Sequence, residues 1–219
     1  MKIYYSYGKV SKEAAKVWLE ERGWKPSRTA REICNDLEKG MFHYGESGNG
    51  TFKKGMTLCD IGGAHGRDCL HLSKAGFSAI LVDPNIYSLE YTREKMKQEG
   101  AYFALIEGAL PYLPLADKSV DIVEFRGALH HIPYEHQLDA LNEINRIMKP
   151  NGILYSMSYG NFGKPLPKKA LYPLEKFDAF RELHNQAGFE ILRSASYDIP
   201  GSTKENPESN MWNCKFFKR

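Results

Sequence analysis

The sequence predicts an α/β protein with a doubly wound, mainly parallel sheet and helices on both of its faces. From about residue 56, short apolar runs of strand length alternate with segments of helical periodicity. Most of these runs are apolar throughout, as in strands that are buried on both faces. A repeated β-α-β order of such strands is typical of a parallel sheet between two helical layers.

The composition is that of a folded globular domain. The 219 residues are 42% hydrophobic and 26% charged, and the net charge of +3 is too small to indicate nucleic acid binding on its own. No apolar run reaches the roughly 18–20 residues of a membrane helix, and the N-terminus lacks the apolar core of a signal peptide. We therefore expect a soluble cytoplasmic protein with no membrane contact.

Two helices are predicted to open the chain. Ser11 is placed to cap the first, which ends at Gly23, and Thr29 and Glu32 have capping-box spacing for the second. The glycine-rich stretch HYGESGNGTFKKG then predicts a loop. We expect residues 1–50 to form a helical extension or lid, and residues 51–219 to form the main domain.

The remaining elements are predicted from apolar runs and from the turn-forming residues that separate them. Strands are predicted for MTLCDI, SAILVD, YFALIEG, VDIVEFRG and ILYSMS, and helices for about residues 66–74, 87–98 and 134–148. The motif KPNG at 149–152 predicts a turn after the last helix. IPGSTKENPESN predicts a polar loop, and NCKFFKR a final strand near a sheet edge.

The residues that end the first strands form the candidate site, since ligands bind at the carboxyl ends of parallel strands. The run Asp60-Ile61-Gly62-Gly63-Ala64-His65-Gly66 follows the first strand, and its glycines allow the backbone to approach a ligand closely. Asp83 ends the second strand and is suited to accept both hydroxyls of a ribose. No register of GGAHGRD matches G-x-G-x-x-G, which argues against a nicotinamide oxidoreductase. Asp60 suits a ligand that carries an ammonium group.

Four segments carry a family resemblance. DIGGAHG resembles the D-x-G-x-G-x-G motif of class I S-adenosylmethionine-dependent methyltransferases. Three later segments are similar to those of the group that includes the ubiquinone/menaquinone C-methyltransferases (methyltransferase type 11): LPLADKSVDIV, ALHHI and LNEINRIMKPNGIL. Together the four segments span about residues 56–157 in the family's order. The resemblance implies a Rossmann-like sheet of seven strands and S-adenosylmethionine as cofactor, with S-adenosylhomocysteine as product.

The resemblance also implies the roles of individual residues. The glycine turn surrounds the methionine moiety, Asp83 holds the ribose, Pro84 and Asn85 border the adenine, and Arg126 lies near the sulfonium and the substrate. The implied cofactor-binding residues are Asp60, Gly62, Gly63, Gly66, Asp83, Pro84, Asn85, Glu107, Gly108, Ala109 and Arg126.

The sequence departs from the family pattern in two places. Ala64 replaces the middle glycine of the turn, and we expect a β-region backbone to tolerate it. Ala109 stands where the family has an acid that reaches the adenine amino group. Either Glu107 substitutes for that acid from an earlier position, or the adenine is held by backbone alone.

Several side chains have both a functional and a structural interpretation. His130 and His131 are candidate general bases, since histidine titrates near neutrality, but they also suit a purely structural turn. His65 either touches the cofactor or is a solvated loop residue. Two larger sets have the same ambiguity: a possible aromatic lid (Tyr4, Tyr5, Tyr7, Trp24, Phe42 and Tyr44) and a possible acceptor-binding segment at 159–175 with Asn161, Phe162, Lys164, Lys168 and Lys169.

These observations predict in-line methyl transfer to a small-molecule acceptor by a monomer or homodimer. An RNA or protein methyltransferase and a non-catalytic S-adenosylmethionine-binding protein are the alternatives. No N-P-P-aromatic motif follows the fourth strand, which argues against a nucleic acid substrate. The spacing of the four cysteines supports neither a zinc site nor a redox pair, and we expect no metal and reduced thiols.

Overall fold

A computed structural model describes residues 24–44, 48–159, 172–174, 176–197 and 211–218 of the chain. The helices in these ranges are α1 (Arg28–Lys39), α2 (Arg67–Ala75), α3 (Ile86–Glu99), α4 (Tyr134–Ile147) and α5 (Phe177–Gln186), with a 3₁₀ turn at Leu129–His131. The strands are β1 (Met41–Tyr44), β2 (Gly48–Thr51), β3 (Thr57–Ile61), β4 (Ser78–Asp83), β5 (Ala104–Glu107), β6 (Val120–Arg126), β7 (Met148–Tyr159), β8 (Phe189–Tyr197) and β9 (Met211–Lys218).

Seven of the strands form one sheet in the order β5-β4-β3-β6-β7-β9-β8. The pairs from β5 to β7 are all parallel, and β9 runs antiparallel to both of its neighbours. Strand β3 lies between β4 and β6, so the strand order reverses at β3 and opens a crevice at its carboxyl end. The predicted doubly wound, mainly parallel, seven-stranded sheet is confirmed.

Helices cover both faces of this sheet, as predicted. Alternate residues of each strand point to opposite faces. Cys59 and Val123 belong to the core beneath α4 and α5, whereas their neighbours Leu58 and Ile122 pack with Ile33 of α1. A smaller cluster contains Cys69 of α2. Cys59 and Cys69 are both fully buried.

The start of α1 differs from the prediction. Ser27, not Thr29, is the N-cap: its backbone is extended, and its hydroxyl accepts the N–H of Ala30 at 3.0 Å. Thr29 lies inside the first turn and is fully buried. The capping-box pattern therefore placed the helix start two residues too late. Ser27 has a hydroxyl like Thr29 and caps the helix from the earlier position. The helix predicted after Ser11 lies outside the described residues.

Two boundary predictions were wrong. The glycine-rich stretch predicted as a loop contains the antiparallel hairpin β1–β2. Residues 149–152, predicted as a turn before the strand, lie inside β7. Asn151 has a φ of +65° and the register with β6 shifts there, so the chain bends within one continuous strand. The final strand predicted near a sheet edge is confirmed as β9, which lies next to the edge strand β8.

Two elements were missed altogether. They are α5 and the edge strand β8, separated by Gly188 with a φ of +83°. The helical spacing of Phe177, Phe180 and Leu183 and the Gly188 stop signal were present in the sequence, since glycine commonly ends a helix in this conformation.

A buried ion pair joins α1 to the sheet. Asp36 of α1 accepts a hydrogen bond from Lys215 Nζ of β9 at 2.6 Å and another from the hydroxyl of Tyr155 of β7. Both charged residues are buried, at 9% and 8% exposure. Because each charge is desolvated, removal of one partner leaves the other uncompensated in a poorly solvated place.

We therefore expect Asp36→Ala to lower the free energy of unfolding by about 3 kcal/mol, as is typical when a buried pair is broken. Urea unfolding followed by circular dichroism measures the change. Glu94→Ala is the control, because Glu94 pairs with Lys97 on the exposed surface of α3. Its loss is expected to be about 0.5 kcal/mol or less. Equal losses in the two variants would contradict this account of α1 docking.

Candidate functional site

The turn between β3 and α2 is a tight glycine loop built around Asp60. Gly62 and Gly66 have φ of +73° and +65°, a region that side chains other than glycine rarely adopt. A Cβ built on Gly63 would lie 2.1 Å from Asp60 Oδ2. Glycine is therefore required at position 63, since any side chain there would collide with the Asp60 carboxylate.

Ala64 does not have the β-region backbone that its tolerance was predicted to need. Its φ is +52°, in the left-handed region, which costs an alanine about 1 kcal/mol relative to glycine. Its N–H donates to Asp83 Oδ2 at 2.9 Å. That hydrogen bond directs the turn toward the neighbouring strand and helps to offset the strain.

Asp83 lies at the end of β4 and connects two backbone segments. Oδ2 accepts the N–H of Ala64, and Oδ1 accepts the N–H of Asn85 at 2.8 Å. Burial raises the pKa of Asp83 to about 6, and the two backbone hydrogen bonds oppose that rise. The carboxylate is therefore fixed in position next to the glycine turn, where the ribose was predicted to bind.

Asn85 has a local structural role. Its side-chain oxygen caps α3 by accepting the N–H groups of Tyr87 and Ser88 at 3.0 and 3.3 Å. Pro84, beside it, is partly buried. Pro84 and Asn85 follow Asp83 directly, so they lie at the carboxyl ends of the strands with the other predicted site residues.

The end of β5 adjoins Asp83. Glu107 pairs with Asp83 in the parallel register and is exposed, and the N–H of Gly108 donates to the Asp83 carbonyl at 3.3 Å. A Cβ on Gly108 would lie 3.0 Å from both Pro114 and Val82. Ala109 forms an isolated bridge with Tyr112. Glu107 is therefore the acid nearest in sequence to the place where the family has its adenine-binding carboxylate.

Three acids are buried beneath the turn. Asp60 and Glu124 are paired across β3 and β6 and point to the same face, and they are 3% and 0% exposed. Asp68 of α2 is 5% exposed, and its carboxylate accepts the backbone N–H of Ser27 at 2.7 Å. The hydroxyl of Ser27 donates to Glu124 Oε1 at 3.4 Å. The N-cap of α1 therefore covers this acid cluster (Asp60, Asp68 and Glu124).

Burial is the main reason that the pKa values of Asp60 and Glu124 lie well above their usual range, and neighbouring carboxylates raise them further. The positive charge of Arg126, at the end of β6, acts in the opposite direction on both acids. Glu124, Asp68 and Ser27 were not predicted from the sequence as site residues. One signal was present, because a single acid inside the otherwise apolar run IVEF of a central strand is unusual.

The two histidines lie in the 3₁₀ turn after β6. His130 and His131 are 1% and 7% exposed, with ring centroids 4.3 Å apart, and His130 Nδ1 is 3.4 Å from Ser158 Oγ. Gln137 Nε2 donates to the carbonyls of Leu129 and Ile132 and so fixes the turn. The turn adjoins the glycine loop, because a Cβ on Gly62 would lie 3.2 Å from Ala128 Cβ.

The segment before α1 packs against the glycine turn. Trp24 makes an edge contact with His65 at a centroid distance of 5.2 Å and stacks on Tyr91 at 6.0 Å. His65 is only 3% exposed, so its interpretation as a solvated loop residue was wrong. The other lid residues and the named lysines, Asn161 and Phe162 of the acceptor segment lie outside the described residues or have side chains that are not described. In the described part of segment 159–175, Tyr159 contacts His130 at 4.5 Å and the Tyr172 N–H donates to the His130 carbonyl at 2.9 Å.

The structure thus brings the predicted residues of β3, β4, β5 and β6 together at the carboxyl ends of these four neighbouring strands. Within the described ranges, no group of His, Cys, Asp and Glu residues is arranged to hold a metal ion. In the same ranges, no helix has both the length and the apolar character that a bilayer span requires.

The burial of Glu124 predicts a pH dependence of stability. Its pKa is raised above the unfolded value of about 4.5, so the folded state keeps this proton to a higher pH than the unfolded state does. The free energy of unfolding therefore falls as the pH rises above about 4.5. Glu124→Gln, which resembles the protonated acid, is expected to make that fall shallower.

Urea unfolding of wild type and variant at several pH values between about 5 and 8 tests this expectation. Glu90→Gln, an exposed change on α3, should follow the wild type. A Glu124→Gln curve as steep as that of the wild type would show that Glu124 does not titrate in this way.

Comparisons with known proteins agree with this geometry. A family model described as a methyltransferase domain matches residues 59–156. The uncharacterized methyltransferase YodH of Bacillus subtilis is 24% identical over 152 residues, which are 69% of this chain and 64% of that protein. A Mycobacterium avium methyltransferase is 28% identical over 142 residues, 64% of this chain and 54% of the relative. The chain thus spans less than two thirds of these relatives.

Two solved structures share the fold. A S-adenosylmethionine-dependent methyltransferase from Aquifex aeolicus has a TM-score of 0.67 at 18% identity, covering 96% of this chain and all of that one. The 1,6-didemethyltoxoflavin-N1-methyltransferase of Burkholderia thailandensis has a TM-score of 0.69 at 16% identity, covering 100% and 91%. The family match identifies residues 59–156 as a class I S-adenosylmethionine-dependent methyltransferase domain of the type 11 group, and the solved structures share its fold.

Proposed function

We propose that this protein transfers a methyl group from S-adenosylmethionine to a small-molecule acceptor. The observation that carries the proposal is the pairing of the Asp60 glycine turn with Asp83, joined by the Ala64–Asp83 hydrogen bond. The acceptor class is supported by analogy: the solved Burkholderia enzyme of the same fold is named as an N1-methyltransferase of a small molecule, 1,6-didemethyltoxoflavin.

The residues present suit this cofactor. Glycine at position 63 lets the Asp60 carboxylate pack directly against the backbone of the turn, at the carboxyl end of β3. A carboxylate has about four acceptor positions, and the two backbone donors to Asp83 occupy two of them. About two therefore remain for the two ribose hydroxyls. Pro84, Asn85, Glu107, Gly108 and Ala109 would border the adenine.

When bound, S-adenosylmethionine supplies an electrophilic methyl group, so the chain's own residues have mainly to align and enclose the reactants. Asp60 would hold the ammonium group, and Arg126 would lie at the same end of the site. Trp24, packed on His65 of the turn, would limit the access of water from the side of α1.

A general base is needed only when the acceptor is a hydroxyl or an acidic carbon. His130 and His131 are the candidates, because their turn adjoins Gly62. Ser158 would select the tautomer of His130 through Nδ1. We retain both histidines as candidate bases, together with a cytoplasmic location and a monomer or homodimer as the assembly.

The direct test is calorimetry with S-adenosylmethionine, S-adenosylhomocysteine and NAD, followed by tracing of a labelled methyl group. We expect both adenosyl compounds to bind, and label to enter the small-molecule fraction of a cell extract. Tight NAD binding without either adenosyl compound would refute the proposal. Label found only in RNA or protein would refute its acceptor class, and binding without any transfer would indicate a non-catalytic protein.

Asp83 provides a second prediction. Replacement by Ala should remove two charge-assisted hydrogen bonds and weaken S-adenosylhomocysteine binding by about 1.5–3 kcal/mol. Because burial raises the pKa of Asp83 to about 6, we also expect wild-type affinity to fall as the pH is lowered through that value.

Asp83→Asn is the matched control, since it keeps the shape and one acceptor oxygen but cannot ionise. Its affinity should lie between those of wild type and Asp83→Ala, without the fall near pH 6. Unchanged affinity in Asp83→Ala would show that the ribose binds elsewhere.

A further inference from the structure

Asn213, near the start of β9, is a polar residue buried within the sheet. Its side chain is 5% exposed, and its Oδ1 is fully buried with no hydrogen-bond donor in the described part of the chain. An amide oxygen that is buried without a donor costs folding free energy, so such groups are rare in folded proteins. The side chain therefore has an acceptor position available to a ligand.

Strand pairing places this side chain on the face of the sheet that α1 covers. Lys215, two residues further along β9, points to the same face and reaches Asp36 of α1. Asn213 pairs directly with Met157 of β7, which pairs in turn with Arg126, the last residue of β6. Asn213 is therefore level with the carboxyl end of β6 and lies two strands away from it.

Met157 connects Asn213 to the turn that holds the candidate bases. A Cβ built on Gly127 would lie 3.7 Å from Met157 Cε and 4.0 Å from His130 Cε1. Tyr159, two residues after Met157, points to the same face, and its ring contacts that of His130 at 4.5 Å. Met157 and Tyr159 are 2% and 8% exposed. The two side chains thus form a largely apolar surface that runs from the His130 turn toward Asn213.

The dimensions of this surface suit a small ring-containing molecule. Neighbouring strands lie about 4.8 Å apart, so Asn213 and the end of β6 are separated by roughly 10 Å. A methyl acceptor bound beside the end of β6 reaches Asn213 if it extends across β7. A compact ring system has that length, and the flexible thioether of Met157 can adapt to its flat apolar surface.

We propose that Asn213 determines substrate specificity by accepting a hydrogen bond from an N–H or O–H group of the methyl acceptor. This inference rests on the proposed function and narrows its substrates to small ring molecules that carry such a donor away from the methylated atom. Met157 and Tyr159 hold the apolar part of the same molecule next to the His130 turn. A molecule without the donor would leave the amide oxygen unpaired, so the site selects against it.

Asn213→Leu tests the proposal, because leucine has a similar shape and no polar atom. Initial rates of labelled methyl transfer are measured against increasing amounts of the low-molecular-mass fraction of a cell extract. We expect the amount that gives the half-maximal rate to rise about tenfold, the typical effect of losing one buried hydrogen bond. The maximal rate and the calorimetric affinity for S-adenosylhomocysteine should be unchanged.

Thermal unfolding separates this role from a structural one. Replacement of an unpaired buried amide by an apolar group of similar shape should leave the melting temperature unchanged or raise it. Asn145→Leu is the matched control, because the Asn145 amide donates to the Ala187 carbonyl at 2.9 Å. It should lower the melting temperature without changing the half-maximal amount. If Asn213→Leu does not fold, Asn213→Ala removes the same oxygen and is measured in the same way.

A variant at position 213 with the half-maximal amount of the wild type would overturn the proposal, whatever its melting temperature. A parallel loss of S-adenosylhomocysteine affinity would also overturn it, since Asn213 would then act through the cofactor site. Failure of the wild type to bind S-adenosylhomocysteine would instead refute the proposed function, and this inference with it.

Discussion

The geometry of the site depends on one carboxylate, that of Asp83. Its two oxygens accept N–H groups from the glycine turn at Ala64 and from the start of α3 at Asn85. A turn 19 residues before Asp83 and the start of the helix after it are thereby fixed to the end of a single strand. Because Ala64 occupies a strained left-handed conformation, the turn depends on this anchor more than an all-glycine turn would. A residue proposed to bind the ribose therefore also shapes the loop beside it.

Below the turn, the fold places three acids where few charges are normally tolerated. Asp60, Asp68 and Glu124 are buried together, and the N-cap of α1 closes over them through Ser27. Such a cluster opposes folding unless protons or cations compensate it. Arg126 supplies part of that compensation. A cationic ligand bound above Asp60 would supply more, so the same charges that strain the free protein favour a ligand that carries an ammonium and a sulfonium.

Local sequence patterns predicted most of the central elements because those elements obey short-range rules. SAILVD is β4 at its full length, and the strand bounds around Asp60 and Arg126 are correct to about one residue. The order of strands and helices followed from the same runs. Predictions failed where several local solutions were available: Ser27 and Thr29 both suited a cap, and residues 149–152 suited both a turn and a bent strand. The missed α5 and β8 follow residues 56–157, which carry the recognisable motifs.

By itself, the sequence determined the fold class, the glycine turn and the acids at positions 60 and 83, since each is encoded within a few consecutive residues. Tertiary structure alone decided that Glu124 pairs with Asp60, that Arg126 shares their face, and that Trp24 packs on His65. The reason is physical: strand register and helix docking bring together residues 41 to 97 positions apart in the chain, and no local pattern specifies which buried charges will meet.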